Sequence, residues 1–228
     1  MDKQLNGLLK WGIQNSAPPT STSTSNATAV TSTDADPSPI IPPTPAPLDQ
    51  AALAALLFGG GPSDADLMKA AIEVITDSDP SNTLENKLIA FDNFEQLIEG
   101  LDNANNLETL SLWTPLLSLL EHEESELRRM AAWCVGTAVQ NNVRTQERLF
   151  ALGGIPTLVK LATHAGEAEG VRRKAVYALS SAVRNYQPSM DAASKTLVEL
   201  GHEEKGAQVD AADMDAVDEV MNWLKQRA

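Results

Sequence analysis

Cysteine is nearly absent from this chain: the single Cys134 excludes an intrachain disulfide, so burial alone must hold the fold, and a reducing compartment suits it. Its apolar neighbours in WCVGTAV make it a packing residue rather than a nucleophile. Aromatics are scarce, at 4% of 228 residues, while Ala and Leu dominate the apolar set. Strands favour aromatic and β-branched residues, so the composition predicts an all-α protein. Cations are also few. With 17 Lys and Arg against 31 Asp and Glu, the formal charge is −14, which disfavours nucleic acid or an anionic membrane as partner, because a polyanion needs clustered Lys and Arg. No run approaches the ~20 apolar residues that span a bilayer, and MDKQLNGLLKWGIQNS is too short and too polar for a signal peptide. A cytoplasmic protein is expected.

Catalytic signatures are missing as well. The three histidines, His122, His164 and His202, fall in separate loops once per ~40 residues with no partner at ligand spacing, which argues against metal or base chemistry. There is no Gly-x-Ser-x-Gly elbow, and GGGPSDAD lacks the Gly-Lys-Ser/Thr ending of a phosphate loop. The carboxylates of EHEE and HEEKG read as solvated loop charges. Neither enzyme, cofactor nor metal is expected, and the chain reads as a binding module.

What is present is repetition. In LRRMAAWCVGTAVQNN, Leu127, Ala131, Cys134, Val135, Ala138 and Val139 make one apolar helical face, and Met130 and Trp133 add a second, so this helix is covered on both sides. VRRKAVYALSSAVRNY, from Val171, repeats the plan after about 44 residues, and TPLLSLL is answered by IPTLVKL, a spacing typical of armadillo and HEAT arrays. The expected architecture is an armadillo/HEAT-like helical array with three repeats and capping helices.

Residues 1–62 are set apart from it. They carry a short apolar helix candidate with Leu5, Leu8, Leu9, Trp11 and Ile13, then a Ser/Thr/Pro spacer expected to be disordered, then LDQAALAALLF before a glycine hinge. The repeat domain is placed at 63–228. Ser63 and Asp66 form a capping box for a helix burying Leu67, Ala70, Ala71, Val74 and Ile75. Residues 84–100 form the next helix, with Leu88, Phe91, Phe94, Leu97 and Ile98 inside. Thr114 and Pro115 read as N-cap and first helical position, and a terminal helix in 210–228 closes the stack.

The binding surface should be lined by the last helix of each repeat. Those helices are read as ending in Asn103-Ala104-Asn105-Asn106, in Gln140-Asn141-Asn142 and in Arg184-Asn185-Tyr186, a ladder of amides suited to a partner's backbone. The alternative is that each asparagine caps its own helix. The Trp and Asn pair, one turn apart, with which nuclear-import adaptors read basic peptides is absent: Trp133 is followed by Thr137, and Tyr177 by Ser181.

The segments MDKQLNGLLKWGIQNS, GGGPSDADLMKAAIEVI, NKLIAFDNFEQLIEGLDNANNLETLSLWTPLL, RRMAAWCVGTAVQNN and YALSSAVRNYQP together resemble the fungal Fes-type family of armadillo-like nucleotide exchange factors, whose animal relatives are the Hsp-binding-protein class. The resemblance implies that the array binds the nucleotide-binding domain of the cytosolic heat-shock protein 70 chaperone (Hsp70) and speeds ADP release. It also implies that the N-terminal segment (Leu5, Leu8, Leu9, Trp11, Ile13) competes with substrate in the chaperone's peptide-binding domain. A fold-back of that segment on the array is the alternative. Ala104 matches a family contact that tolerates little bulk; Asn103, Asn105, Asn106, Asn141, Asn142, Arg184 and Asn185 extend the same surface. Longer relatives add a basic contact that this chain lacks, so Arg172, Arg173 or Arg184 is expected to replace it. A monomer is expected, and a passive scaffold using the same groove is the competing function.

Overall fold

Ten α-helices and one short 3-10 turn account for the regular structure of residues 61–204 and 208–228, the part of the chain that the computed structural model describes. The helices are α1 (Asp64–Thr76), α2 (Leu84–Ile98), α3 (Leu101–Thr109), α4 (Trp113–Ser118), α5 (Ser125–Val139), α6 (Val143–Ala151), α7 (Gly154–Thr163), α8 (Glu169–Val183), α9 (Gln187–Glu199) and α10 (Met214–Lys225). No strand occurs among the described residues. Local chemistry starts several of them. Ser63 Oγ accepts the Asp66 N–H at 3.3 Å while the Asp66 carboxylate accepts the Ser63 N–H, which is the expected capping box. Thr83, accepting the Asn86 N–H, and Asp213, accepting those of Asp215 and Ala216, cap α2 and α10 one way only.

Repetition is visible in the turns. The helices α3, α6 and α9 each end on a leucine followed by a left-handed residue: Leu110-Ser111, Leu152-Gly153 and Leu200-Gly201, with φ of 58°, 72° and 84° at the second position. That turn lets Leu112 donate back to the Leu107 carbonyl and His202 to the Leu197 carbonyl, both at 2.9 Å, closing helix ends that would otherwise leave carbonyls unpaired. It also corrects the start of α4. Leu112 already has helical φ and ψ after this turn, so α4 begins at Trp113 with Leu112 as its N-cap, and the Thr114 side chain caps nothing.

Two complete three-helix units result, α3–α4–α5 and α6–α7–α8, preceded by the pair α1–α2, where three repeats were expected. The long helices α2, α5 and α8 pack in succession and α10 closes on α8, while α7 and α9 pack on each other and α7 on α8. The middle helix α5 is covered as predicted: Leu127, Met130, Ala131, Cys134, Val135, Ala138 and Val139 are all buried. Burial pushes the Cys134 thiol well above its usual value, which keeps it an inert packing group. In α1 the buried stripe is Met68, Ala71, Ile72 and Ile75; Leu67 and Val74 are only half-buried, because α2 covers the adjoining stripe of the helix.

Trp133 is half-buried, with the Lys174 ammonium 3.7 Å from its ring centroid. The ring therefore contributes a cation–π contact and partial burial rather than a full core side chain. Trp133→Ala should cost about 2 kcal/mol in a urea melt, below the ~3–5 typical of a buried tryptophan.

At Gly136 the two long helices α5 and α8 approach closely. A Cβ there would meet the Tyr177 ring at 2.5 Å and the Ala178 Cα at 3.0 Å, so only glycine lets α5 and α8 come this near. That approach sets the width of the groove described next. The N-terminal candidates Leu5, Leu8, Leu9, Trp11 and Ile13, the spacer and the second short helix lie outside the described residues.

Candidate functional site

The C-terminal ends of α2, α5 and α8 line up along one edge, and two adjoining pockets of about 360 and 390 Å³ run across them. They share Gln140, Asn141 and Tyr177, so they form one continuous groove. At the α2 end its walls are Glu95, Glu99 and Thr137; at the α8 end they are Val143, Gln146, Ser180, Ser181, Arg184 and Asn185. The Tyr177 hydroxyl donates to Gln140 Oε1 at 3.2 Å, and the Thr137 hydroxyl donates to Glu95 Oε1 at 2.7 Å.

Asn141 and Asn185 hold equivalent places: each is exposed, adopts a left-handed φ (53° and 57°), and turns the chain from a long helix into a short one. Asparagine tolerates that backbone better than other side-chain-bearing residues, so these two are turn residues that also present an amide to the groove.

The four residues at 103–106 do not belong to that ladder. They lie inside α3, one turn beyond the corresponding corner, because Glu99 and Gly100 make the turn after α2 instead. Asn103 donates to the Leu97 carbonyl at 3.0 Å and to Asp64 at 2.9 Å, so it caps the preceding helix and ties it to α1 rather than capping its own. Asn105 accepts from the Asn142 side chain at 3.2 Å, and Asn142 is buried. Those two amides join α3 to the start of α6. Asn106 is exposed. Ala104 is only 3% exposed and belongs to the apolar core, which corrects the expectation of an open contact surface there: its methyl is covered where α3 packs on its neighbours.

Arg184 lines the groove, but its guanidinium is turned to α10, bonded to Asp218 and within 3.4 Å of Met214 Sδ. The Arg184 hydrogen bond holds the Asp218 carboxyl below its ordinary value. Arg172 and Arg173 sit in the first turns of α8, a helix length from the groove; Arg173 pairs with Glu169 at 2.7 Å and Arg172 donates to the Glu167 carbonyl. Gln146 was not singled out from the sequence. It is buried and donates to the Ser181 and Arg184 carbonyls at 2.8 and 3.2 Å, satisfying the end of α8 from the first helix of the same unit.

Glu95 was also missed. It lies among Phe91, Phe94 and Ile98 on the inner face of α2, and an acid at helical spacing within an apolar stripe was the signal that could have found it.

At the other ends of α5 and α8 lies a larger cavity of about 700 Å³. His122, His164 and His202, which the sequence places in separate loops, all line it, beside Lys160 and the paired Arg128 and Glu167. His122 Nδ1 accepts the Glu124 N–H at 2.9 Å, and His202 stands edge-on to Trp223. Among the described residues no group of His, Cys, Asp or Glu is placed to hold a metal ion, and no helix is long and apolar enough to cross a membrane.

The family model described as "Nucleotide exchange factor Fes1" matches residues 5–107, and the "SIL1/FES1/HPBP1 C-terminal domain" model matches residues 103–203. The chain is 56% identical to the Hsp70 nucleotide exchange factor fes-1 of Neurospora crassa, over 100% of this chain and 99% of that one. It is 57% identical to the Hsp70 nucleotide exchange factor FES1 of Gibberella zeae, over 99% of this chain and 97% of the other, and 50% identical to that of Coccidioides immitis, over 99% of each. By these full-length likenesses the chain belongs to the Fes1 family of nucleotide exchange factors.

Proposed function

We propose that this protein is a non-enzymatic co-chaperone that binds the nucleotide-binding domain of a cytosolic Hsp70 through the groove from Glu95 to Asn185 and speeds release of ADP. The observation that carries the reading is end-to-end similarity to proteins named as Hsp70 exchange factors, in a chain whose groove offers carboxylates from α2 and amides and hydroxyls from the ends of α5 and α8. Gln140, Asn141 and Asn185 both donate and accept, which suits the mixed polar groups of a folded partner. Val143 and Leu101, 55% and 59% exposed at the first positions of α6 and α3, supply apolar anchors along the same edge.

The thermodynamic demand is simple. A ligand that prefers the open form of the chaperone weakens ADP by the same factor that ADP weakens it. ATP rebinding then releases the exchange factor and lets substrate go. In this scheme residues 63–228 act as the docking array, one copy per chaperone. Residues 1–62, with Leu5, Leu8, Leu9, Trp11 and Ile13, act as a tethered competitor for the peptide site, its local concentration raised once the array is bound. The compartment is the cytoplasm.

Stopped-flow release of a fluorescent ADP analogue from a cytosolic Hsp70, with and without this protein, tests the proposal. Acceleration supports exchange. Tight binding with no acceleration would sink it and leave a passive scaffold.

A further inference from the structure

The acid end of the groove holds an unusual group. Glu95 is only 6% exposed, yet among the described residues it forms no salt bridge, and its one hydrogen bond there is from the neutral Thr137 hydroxyl to Oε1. Burying an ionised carboxylate without a counter-charge is costly, and a carboxylate can accept about four hydrogen bonds where this one has a single donor. Lys174 is close enough to feel Glu95 electrostatically, but its ammonium stands over the Trp133 ring. Among the described residues no Lys or Arg lines the ~360 Å³ pocket into which Glu95 faces. Its other polar walls are Glu99, Thr137, Gln140, Asn141 and Tyr177, so two carboxylates stand beside amides and hydroxyls with no cation in the lining that the described residues supply.

We propose that this pocket receives one cationic side chain of the partner, a lysine ammonium or an arginine guanidinium, with Glu95 as its counter-ion and Glu99 at the rim. This inference rests on the chaperone-binding reading above and adds to it the chemistry of one contact. A cation carries several N–H donors and no acceptor, which is what the unfilled oxygens require. It also gives the groove a direction. The acid pocket lies at the α2 end and the neutral amides and hydroxyls at the α8 end, so a basic residue seated under Glu95 fixes which way the partner lies across the helices.

The two carboxylates should act on different steps. A buried charge pair chiefly sets the dissociation rate, and a rim charge the association rate and its salt dependence. The test uses the full chain against an immobilised Hsp70 nucleotide-binding domain, with association and dissociation followed at low and high salt for wild type, Glu95→Gln and Glu99→Gln, and a thermal melt of each. Gln keeps the shape of Glu95 and an oxygen for Thr137, so Glu95→Gln should melt at or above the wild-type temperature while dissociating at least ~10-fold faster. Glu99→Gln, at an exposed position, should slow association at low salt and match wild type at high salt. If wild type binds and Glu95→Gln dissociates at the same rate, the cation pocket is overturned and chaperone binding stands. If wild type itself fails to bind, the chaperone reading fails and the pocket assignment falls with it.

Discussion

Arg128→Ala lowers the unfolding free energy at neutral pH by about 3 kcal/mol, because it strands a largely buried carboxylate and unties two adjacent repeat units. Arg128 Nε and Nη2 grip the two Glu167 oxygens at 2.8 and 2.7 Å, while Nη1 donates to the His122 and Glu123 carbonyls at 2.6 and 2.7 Å. The loop before α5 is thus clasped to the loop before α8. The side chains are 18% and 7% exposed, and the pair borders an open cavity, which places the cost at the lower end of the ~3–5 kcal/mol typical of broken buried pairs. Burial alone would raise the Glu167 carboxyl, but the Arg128 hydrogen bond, the Ala168 N–H and the Arg128 charge outweigh it and hold the group below its ordinary value of 4.5. A carboxyl depressed in the folded state takes up its proton later than in the unfolded chain. Its stabilisation is therefore present above pH 4.5 and lost as pH falls through the lowered value. Urea melts at pH 7 and pH 3 check this: the gap between wild type and Arg128→Ala should shrink in acid, and an unchanged gap would mean that the pair is not its source.

The array was legible in the sequence because it is written in two local signals. Helical spacing of Leu127, Ala131, Cys134, Val135 and Ala138 needs no knowledge of neighbours, and all five are buried. The Ser63 and Asp66 capping box is equally local. Corners were harder. The turn before α4 depends on a serine, Ser111, taking the left-handed conformation that glycine takes at 153 and 201, so the conspicuous local signal is the proline two residues after the true start. The amide ladder failed at its first rung for the same reason: Glu99 and Gly100 make that turn without an asparagine, and the run at 103–106 mimics the missing rung from inside the next helix.

Tertiary placement was not legible at all. Arg184, read as free for a partner, is bonded across 34 residues of sequence to Asp218, and Asn142 to Asn105 across 37. Only the packing of α10 on α8 and of α6 beside α3 brings those pairs together. The groove itself depends on Gly136, whose missing Cβ lets Tyr177 approach Gln140; nothing in the periodicity marks that glycine as different from an ordinary helix-weakening one.

Ala104→Arg should weaken chaperone binding at least ~10-fold and also cost about 1–3 kcal/mol of stability, since extra side-chain volume must enter a packed seam. The methyl of Ala104 is 3% exposed, so an arginine stem has to thread out beside Asn105 and Leu101 before its guanidinium reaches water. On the way it displaces the hydrogen bond between Asn105 and Asn142, which sets the start of α6 and, through Gln146, the end of α8. The turn at Asn141 lies between those two fixed points. A shift there moves the middle of the groove, which gives Ala104 a way to affect binding without touching the partner. A loss of 1–3 kcal/mol from a typical ~5–15 still leaves nearly every molecule folded, so a tenfold binding loss could not arise from unfolded chains. Ala193→Gly, buried in α9 and off the groove, serves as the control, with a cost of about 1 kcal/mol. Binding that survives in the control and fails in Ala104→Arg assigns the effect to groove geometry. Equal loss in both would make it a matter of stability alone, and wild-type binding by Ala104→Arg would mean that the packing of α3 does not set the groove's geometry.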